Sequence, residues 1–124
     1  MLSITLNETD GVALLEPSGK LSKDDFTQAA AIIDPFIECN GKLNGLIVHT
    51  PNFPGWDSFG ALINHLKFVK NHHHQISHIA LVTNSALADV AEHLTGHFIH
   101  ARIKHFDYYQ LEDATLWVLT DQDQ

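Results

Sequence analysis

Alternation of polar and apolar residues near the start of the chain predicts a β-hairpin. Residues 3–6 alternate with a period of two, residues 7–11 are rich in turn-forming side chains, and residues 12–16 form a second β-favouring run. Because the loop between the two runs is short, we predict that the two strands are antiparallel.

The hydrophobic period changes after Gly19 and predicts a helix. Ser22, followed three residues later by Asp25, is a capping signature, and Asn40-Gly41 is typical of a helix end. Pro35 is expected to redirect the last turn. The apolar stripe that this helix turns toward the core comprises Phe26, Ala29, Ala30, Ile33 and Ile37.

Residues 46–69 combine a strand, a loop and a helix, and the rest of the chain is arranged around them. Residues 46–48 are a short apolar run, residues 51–55 contain two prolines and a glycine, and Asp57 is placed to cap a second helix. The helical stripe is Phe59, Leu62, Ile63, Leu66 and Val69. Ligands of open α/β sheets bind beyond the carboxyl ends of strands, so residues 53–58 are the first candidate site.

The second half of the chain repeats the strand and helix signals. Residues 79–82 are typical of a strand buried on both faces and parallel to residues 46–48, and residues 102–106 alternate like a strand nearer the sheet edge. A third helix is predicted from Leu87, Val90, Ala91 and Leu94. Asp107 is expected to cap a fourth helix, whose inward-facing residues are Leu111, Ala114, Trp117 and Val118.

The predicted order is therefore two strands followed by three helix–strand units and a final helix. It indicates one α/β domain over residues 1–124, with a five-stranded, mostly parallel sheet, an antiparallel N-terminal strand and about four helices.

Composition and charge narrow the function classes. Seven basic and fifteen acidic residues give a formal charge of −8, which argues against a nucleic-acid partner. Protonation of the ten histidines would reverse the sign and favour contact with anionic membranes at acid pH. No signal sequence or membrane span is recognisable, and Cys39 is the single cysteine, so we expect a cytoplasmic protein with transient peripheral membrane contact.

Several segments together resemble the SpoIIAA-like family, which is related in fold to STAS domains and to the CRAL-TRIO lipid-binding domain. The resemblance covers essentially the whole chain. The residues that carry it are Phe53-Pro54-Gly55-Trp56, Leu66-Lys67-Phe68, Ile79-Ala80-Leu81-Val82, Phe106-Asp107 and residues 111–118. It implies a SpoIIAA-like, STAS-like fold and a non-catalytic binding domain for an apolar, lipid-like ligand. A homodimer is compatible with this assignment.

Asp57-Ser58-Phe59-Gly60 resembles the Asp-Ser-x-Gly element at which anti-sigma-factor antagonists are phosphorylated. By that resemblance Ser58 is a candidate phosphoacceptor in a regulatory protein-interaction domain. A phosphate on Ser58 would be stabilised by the dipole at the helix N-terminus and would add negative charge to a partner-facing loop. The alternative is that Asp57 and Ser58 only cap the second helix.

Apolar residues of the predicted second and third helices form the candidate ligand groove. These residues are Phe53, Trp56, Phe59, Ile63, Leu87, Val90, Leu94, Phe98 and Ile99. If both helices pack on one sheet face, their side chains can line an apolar cleft. The alternative is that the same side chains fill an ordinary core.

The spacing of the histidines does not predict a catalytic site. His93 and His97 are one helical turn apart but lack a third ligand, and residues 72–74 are explained by a helix C-terminus. His49 follows the buried strand and is a candidate for a functional hydrogen bond or for a satisfied core histidine. With no phosphate loop, nucleophile elbow or metal-ligand cluster, we expect no catalytic activity, no metal and no cofactor.

Overall fold

The computed structural model describes residues 2–18, 21–51, 76–84 and 102–121. Within these ranges the chain forms five strands and two helices. The strands are β1 (Leu2–Asn7), β2 (Val12–Pro17), β3 (Leu43–His49), β4 (Ile76–Val82) and β5 (Arg102–Phe106), and the helices are α1 (Lys23–Asn40) and α2 (Leu111–Thr120).

The five strands form one sheet in the order β1-β2-β3-β4-β5. β1 pairs with β2 antiparallel, and every later pair is parallel. The predicted hairpin, the parallel pairing of the two buried strands and the antiparallel first strand are therefore confirmed. β5 is the last strand in the order, as its alternating pattern predicted.

The two helices cover opposite faces of the sheet. α1 contacts β1 and β3, whereas α2 contacts β3, β4 and β5. Leu46 and Val48 belong to the core under α1, and Ile47 between them belongs to the core under α2. The alternation arises because successive side chains of a strand point to opposite faces. It explains why the central strands are continuous apolar runs.

The ends of α1 agree with the prediction. The Ser22 side chain accepts from the backbone N–H of Asp25, and the Asp25 carboxylate accepts from the backbone N–H of Ser22, which is a complete capping box. Gly41 ends the helix at φ 83°, where a side chain would be strained. Pro35 lies inside the single helix from Lys23 to Asn40.

The start of α2 differs from the prediction. Its N-cap is Gln110, which makes no side-chain capping hydrogen bond, so the assignment of Asp107 as the cap was wrong. The backbone N–H of Asp107 instead donates to Oε1 of Gln110 at 2.9 Å. The turn after β5 thus occupies three residues more than the sequence suggested before helical hydrogen bonding begins.

About four helices were expected, and the described residues contain two of them. The predicted second and third helices fall at residues 57–71 and 87–96, outside the described ranges. No helix in the described ranges is both long and apolar enough to cross a membrane.

Candidate binding edge

The carboxyl ends of β2 to β5 lie along one edge of the sheet because these four strands are parallel. We call this the carboxyl edge. Its described residues at and just beyond the strand ends are Glu16, His49, Thr50, Pro51, Thr83, Asn84, His105 and Tyr108. Sites of open α/β sheets are found at such edges, since the loops that leave the strands meet there.

His49, the last residue of β3, joins three elements at this edge. Its Nδ1 lies 3.0 Å from Oε2 of Glu16 on β2, and its Nε2 lies 3.1 Å from the carbonyl oxygen of Tyr108 after β5. The His49 and Tyr108 rings are stacked, with centroids 4.5 Å apart and an interplanar angle of 9°. The imidazole therefore holds the turn after β5 against β2 and β3.

Both partners of the His49 ring are hydrogen-bond acceptors. A carboxylate oxygen and a backbone carbonyl can each accept but not donate, so both contacts are hydrogen bonds only when both ring nitrogens carry hydrogen. The His49 side chain is only 12% exposed. Its imidazole donates to the carboxylate, to the carbonyl or to both, according to which ring nitrogens carry hydrogen.

Backbone hydrogen bonds continue the pairing beyond the strand ends. The N–H of Thr50 donates to the Val82 carbonyl at 3.1 Å, and the N–H of Thr83 donates to the Phe106 carbonyl at 3.0 Å. His105 adds a contact from its Nε2 to the Thr83 carbonyl at 2.8 Å. The points at which the chain leaves β3 and β4 are thus fixed side by side.

Two tyrosines follow β5 and differ in exposure. Tyr108 is partly buried beneath the His49 ring, whereas Tyr109 is 88% exposed. Their rings meet edge to face at 5.2 Å, and the backbone N–H of Tyr108 donates to Oδ1 of Asn84 at 3.4 Å. The exposed ring of Tyr109 therefore projects from a turn whose position at the carboxyl edge is held by hydrogen bonds and ring contacts.

The charge of the Asp25 carboxylate stabilises the start of α1. Hydrogen bonding from the Ser22 backbone lowers the pKa of Asp25, and the Ser22 hydroxyl acts in the same direction. The other carboxylate oxygen of Asp25 accepts from the backbone N–H of Leu2 at 3.2 Å. A buried, ionised Asp25 consequently ties the first strand to the helix N-terminus.

The predicted ligand and phosphoacceptor residues all lie outside the described ranges. Ser58 and four of the groove residues, Phe53, Trp56, Phe59 and Ile63, follow β3. The other five, Leu87, Val90, Leu94, Phe98 and Ile99, follow β4. The structure therefore tests neither the groove nor the phosphoacceptor directly, but it brings together the two strand ends from which these segments start.

Of the predicted histidines, His49 lies in the described part and is held by hydrogen bonds. His93, His97 and residues 72–74 lie outside it. Sequence reasoning missed Glu16 and Tyr108 as the partners of His49. The sequence did contain a signal for Glu16, because this acidic residue ends the predicted strand at residues 12–16, which pairs with the strand that His49 ends. Within the described ranges, no group of three histidine, cysteine or acidic side chains is arranged to hold a metal ion.

Comparison with known proteins gives a family and a fold. The SpoIIAA-like family model matches residues 12–119. A crystal structure of an uncharacterized protein from the DUF3478 family, with a SpoIIAA-like fold, from Shewanella loihica PV-4 is similar with a TM-score of 0.57. It shares 16% sequence identity, and the match covers 95% of this chain and 92% of that one. A search of curated protein sequences finds no significant match.

Proposed function

The chain belongs to the SpoIIAA-like family, and from this premise we propose that it is a non-catalytic domain that binds a regulatory protein partner at its carboxyl edge. The observation that carries the proposal is the fixed position of Tyr109. Its ring is 88% exposed, on a turn that His49 holds to the strand ends. Rigid, exposed tyrosines are enriched at protein interfaces because they bury a large area at little entropic cost.

The ring nitrogens at the edge support a binding role over a catalytic one. His49 uses both nitrogens to hold Glu16 and Tyr108, and Nε2 of His105 contacts the Thr83 carbonyl. A general base needs a free nitrogen within reach of its substrate. These imidazoles instead stabilise the surface on which a partner would rest.

Ser58 fits this proposal as the switch. It lies nine residues after His49 in the sequence, in the segment that leaves β3 at the carboxyl edge. A phosphate on Ser58 would add about two negative charges to the segment that follows β3. Phosphorylation would then release the partner through local charge, without a change of fold.

Site-specific photocrosslinking tests the partner surface. A benzophenone amino acid at position 109 should capture a discrete partner in the cells that make the protein. The matched control is position 119, because Leu119 is also exposed, at 41%, but lies near the amino ends of β3 and β4, beside Asn44 and Ser77. Capture of the same proteins from both positions would contradict a contact surface at the carboxyl edge.

A second candidate function is supported by the adjacency of β3 and β4. The Thr50–Val82 hydrogen bond places the starts of the two segments that carry the apolar groove residues next to each other. These segments could enclose an apolar, lipid-like ligand acquired during transient membrane contact. Native mass spectrometry of the purified protein distinguishes the functions: a copurified apolar adduct favours the carrier, and a phosphate on Ser58 favours the switch.

A further inference from the structure

The sheet has two edge strands, and their side chains differ in how they affect pairing with another chain. Among the described strands, β1 pairs with β2 alone and β5 pairs with β4 alone. An edge strand presents unpaired N–H and C=O groups, and proteins commonly protect such an edge with charged side chains, proline or a bulge. An edge without these features favours pairing with a further strand.

The edge strand β5 carries basic side chains. Arg102, Lys104 and His105 are exposed in this short strand. Pairing of β5 with β5 of a second copy would bring these basic groups together, which is unfavourable. β5 is therefore protected against such pairing.

The other edge strand, β1, has none of these protecting features. Its residues (Leu2–Asn7) include no charged side chain and no proline, and they pair with β2 in an unbroken register. Ser3 and Thr5 are exposed on one face of the strand, whereas Ile4 and Leu6 are half-buried on the other, against the core under α1. β1 is therefore a regular, uncharged edge.

The outward-facing backbone groups of β1 can be identified from Leu2. Its N–H donates to Oδ1 of Asp25 at 3.2 Å, so this N–H points away from β2. In an antiparallel strand, the backbone groups of alternate residues point toward the neighbour and away from it. The N–H and C=O groups of Ile4 and Leu6 therefore also point away from β2, and no described residue is hydrogen-bonded to them. Because Asp25 occupies the N–H of Leu2, Ile4 and Leu6 supply the next available groups.

We propose that β1 pairs antiparallel with β1 of a second copy of this chain, so that the two sheets join into one. The register that uses the outward groups of Ile4 and Leu6, and keeps Leu2 bonded to Asp25, places Thr5 on the two-fold axis. Ile4 of each copy then exchanges both backbone hydrogen bonds with Leu6 of the other. Closed two-fold pairing is the commonest symmetry of soluble oligomers.

The side chains in this register match on both faces of the joined sheet. Ile4 lies beside Leu6 of the second copy on the α1 face, and an apolar cross-strand pair stabilises a sheet. On the other face Thr5 lies beside Thr5 and Ser3 lies beside Asn7, so that hydroxyl and amide groups can hydrogen-bond. The paired strands contain no charged side chain. β1 is therefore complementary to itself, which favours a second copy over an unrelated peptide.

This pairing is independent of the proposed partner surface. β1 lies at one side of the sheet, and Tyr109 follows β5 at the other side. A dimer would therefore present one partner surface on each copy, with neither surface at the joined edge.

Cysteine crosslinking tests the register, in a Cys39→Ser background because Cys39 is exposed. Thr5 faces its own symmetry mate in a non-hydrogen-bonded pair, where Cα atoms lie about 4.5 Å apart, so Thr5→Cys should form a disulfide-linked dimer under mild oxidation. Ser3→Cys is the matched control on the same exposed face. In the proposed register the two copies of residue 3 are offset by about 13 Å along the strands, which is beyond the reach of a disulfide.

Sedimentation velocity of the full chain tests the dimer without a crosslink. Wild type should sediment as a dimer, and Thr5→Lys should weaken its association by at least about tenfold, because the substitution places two ammonium groups at the axis. Thr120→Lys makes the same change of charge at an exposed position of α2 and should leave the dimer intact. Circular dichroism checks that each variant is folded.

A monomeric wild type overturns the proposal, as does equal association of Thr5→Lys and Thr120→Lys. A disulfide that forms as readily in Ser3→Cys as in Thr5→Cys also overturns it, because the strands would then not pair in this register. If Thr5→Lys is unfolded, the comparison of the two cysteine variants decides.

Discussion

Gly45 on β3 lies directly against Val118 of α2, so that a methyl group on Gly45 would occupy the space of Cγ1 of Val118. Val118 is 4% exposed and belongs to the core between α2 and the sheet. The absence of a side chain at position 45 therefore sets how closely α2 packs on the central strand.

Gly45→Ala should reduce the free energy of unfolding by about 2 kcal/mol, because the added methyl overpacks a core that has no room for it. Urea unfolding followed by circular dichroism measures the loss. In a Val118→Ala background the same substitution should cost less than about 1 kcal/mol, since the clashing methyl groups are gone. Equal costs in both backgrounds would show that the Gly45–Val118 contact does not limit the packing.

Asp25→Asn should destabilise the protein by about 1 kcal/mol at neutral pH, because it weakens the capping box and the contact with Leu2. Asp24→Asn is the matched control: Asp24 is exposed in the same helical turn and makes no such contacts. Chemical unfolding of both variants gives the comparison. A loss of equal size in the two would assign the effect to the helix dipole alone.

The pH dependence of that contribution follows from the lowered pKa of Asp25. A carboxyl group with a folded pKa below its unfolded value stabilises the fold fully above the unfolded value, near 3.8. The contribution is lost as the pH falls from there through the folded pKa. Wild type and Asp25→Asn should therefore converge in stability as the pH falls below 3.8, and a gap that stays constant across that range would exclude this linkage.

His49→Phe should keep a ring stacked on Tyr108 but remove both hydrogen bonds of the imidazole. We expect a loss of about 1 to 2 kcal/mol and faster amide exchange in residues 107–110, because the turn is no longer tied to β2 and β3. Hydrogen exchange with mass spectrometry measures the local effect. Tyr109→Ala, which removes an exposed ring, should leave both stability and exchange nearly unchanged.

The ring nitrogens of His49 offer a direct check of the same contacts. Nitrogen NMR of the labelled wild-type protein shows which of Nδ1 and Nε2 carries hydrogen, and each nitrogen that does should be the donor in its contact. A single protonated nitrogen with an unchanged turn would mean that one of the two contacts is not a hydrogen bond.

Ser58 variants separate a phosphoswitch from a helix cap. If the switch proposal holds, Ser58→Asp should abolish the crosslink from position 109 while Ser58→Ala retains it, because the added charge enters the contact surface. Stability should change by less than about 1 kcal/mol in both, since Asp57 remains available as a cap. Identical crosslinks from the two variants would leave capping as the role of Ser58.

The sequence alone determined the strand pattern and the ends of α1, since these depend on short-range physics. Alternation in residues 3–6, a turn-forming segment and a β-favouring run at residues 12–16 predicted the hairpin, and continuous apolar runs predicted the two buried strands. Ser22 and Asp25 encode the start of α1 through hydrogen bonds that span only three residues, and Gly41 encodes its end through φ. The prediction that Asp107 caps α2 was wrong because the turn after β5 is held by contacts with Gln110 and with distant Asn84.

Only the tertiary structure decided which polar side chains meet. His49 lies 33 residues from Glu16 and 59 from Tyr108, and His78 lies 43 from Asp121. The order of the strands brings the first group together at the carboxyl edge and the second at the opposite end of the sheet, and no local pattern specifies such partners. The close packing of Gly45 on Val118 has the same origin, because the space available at a glycine is set by the element that crosses it.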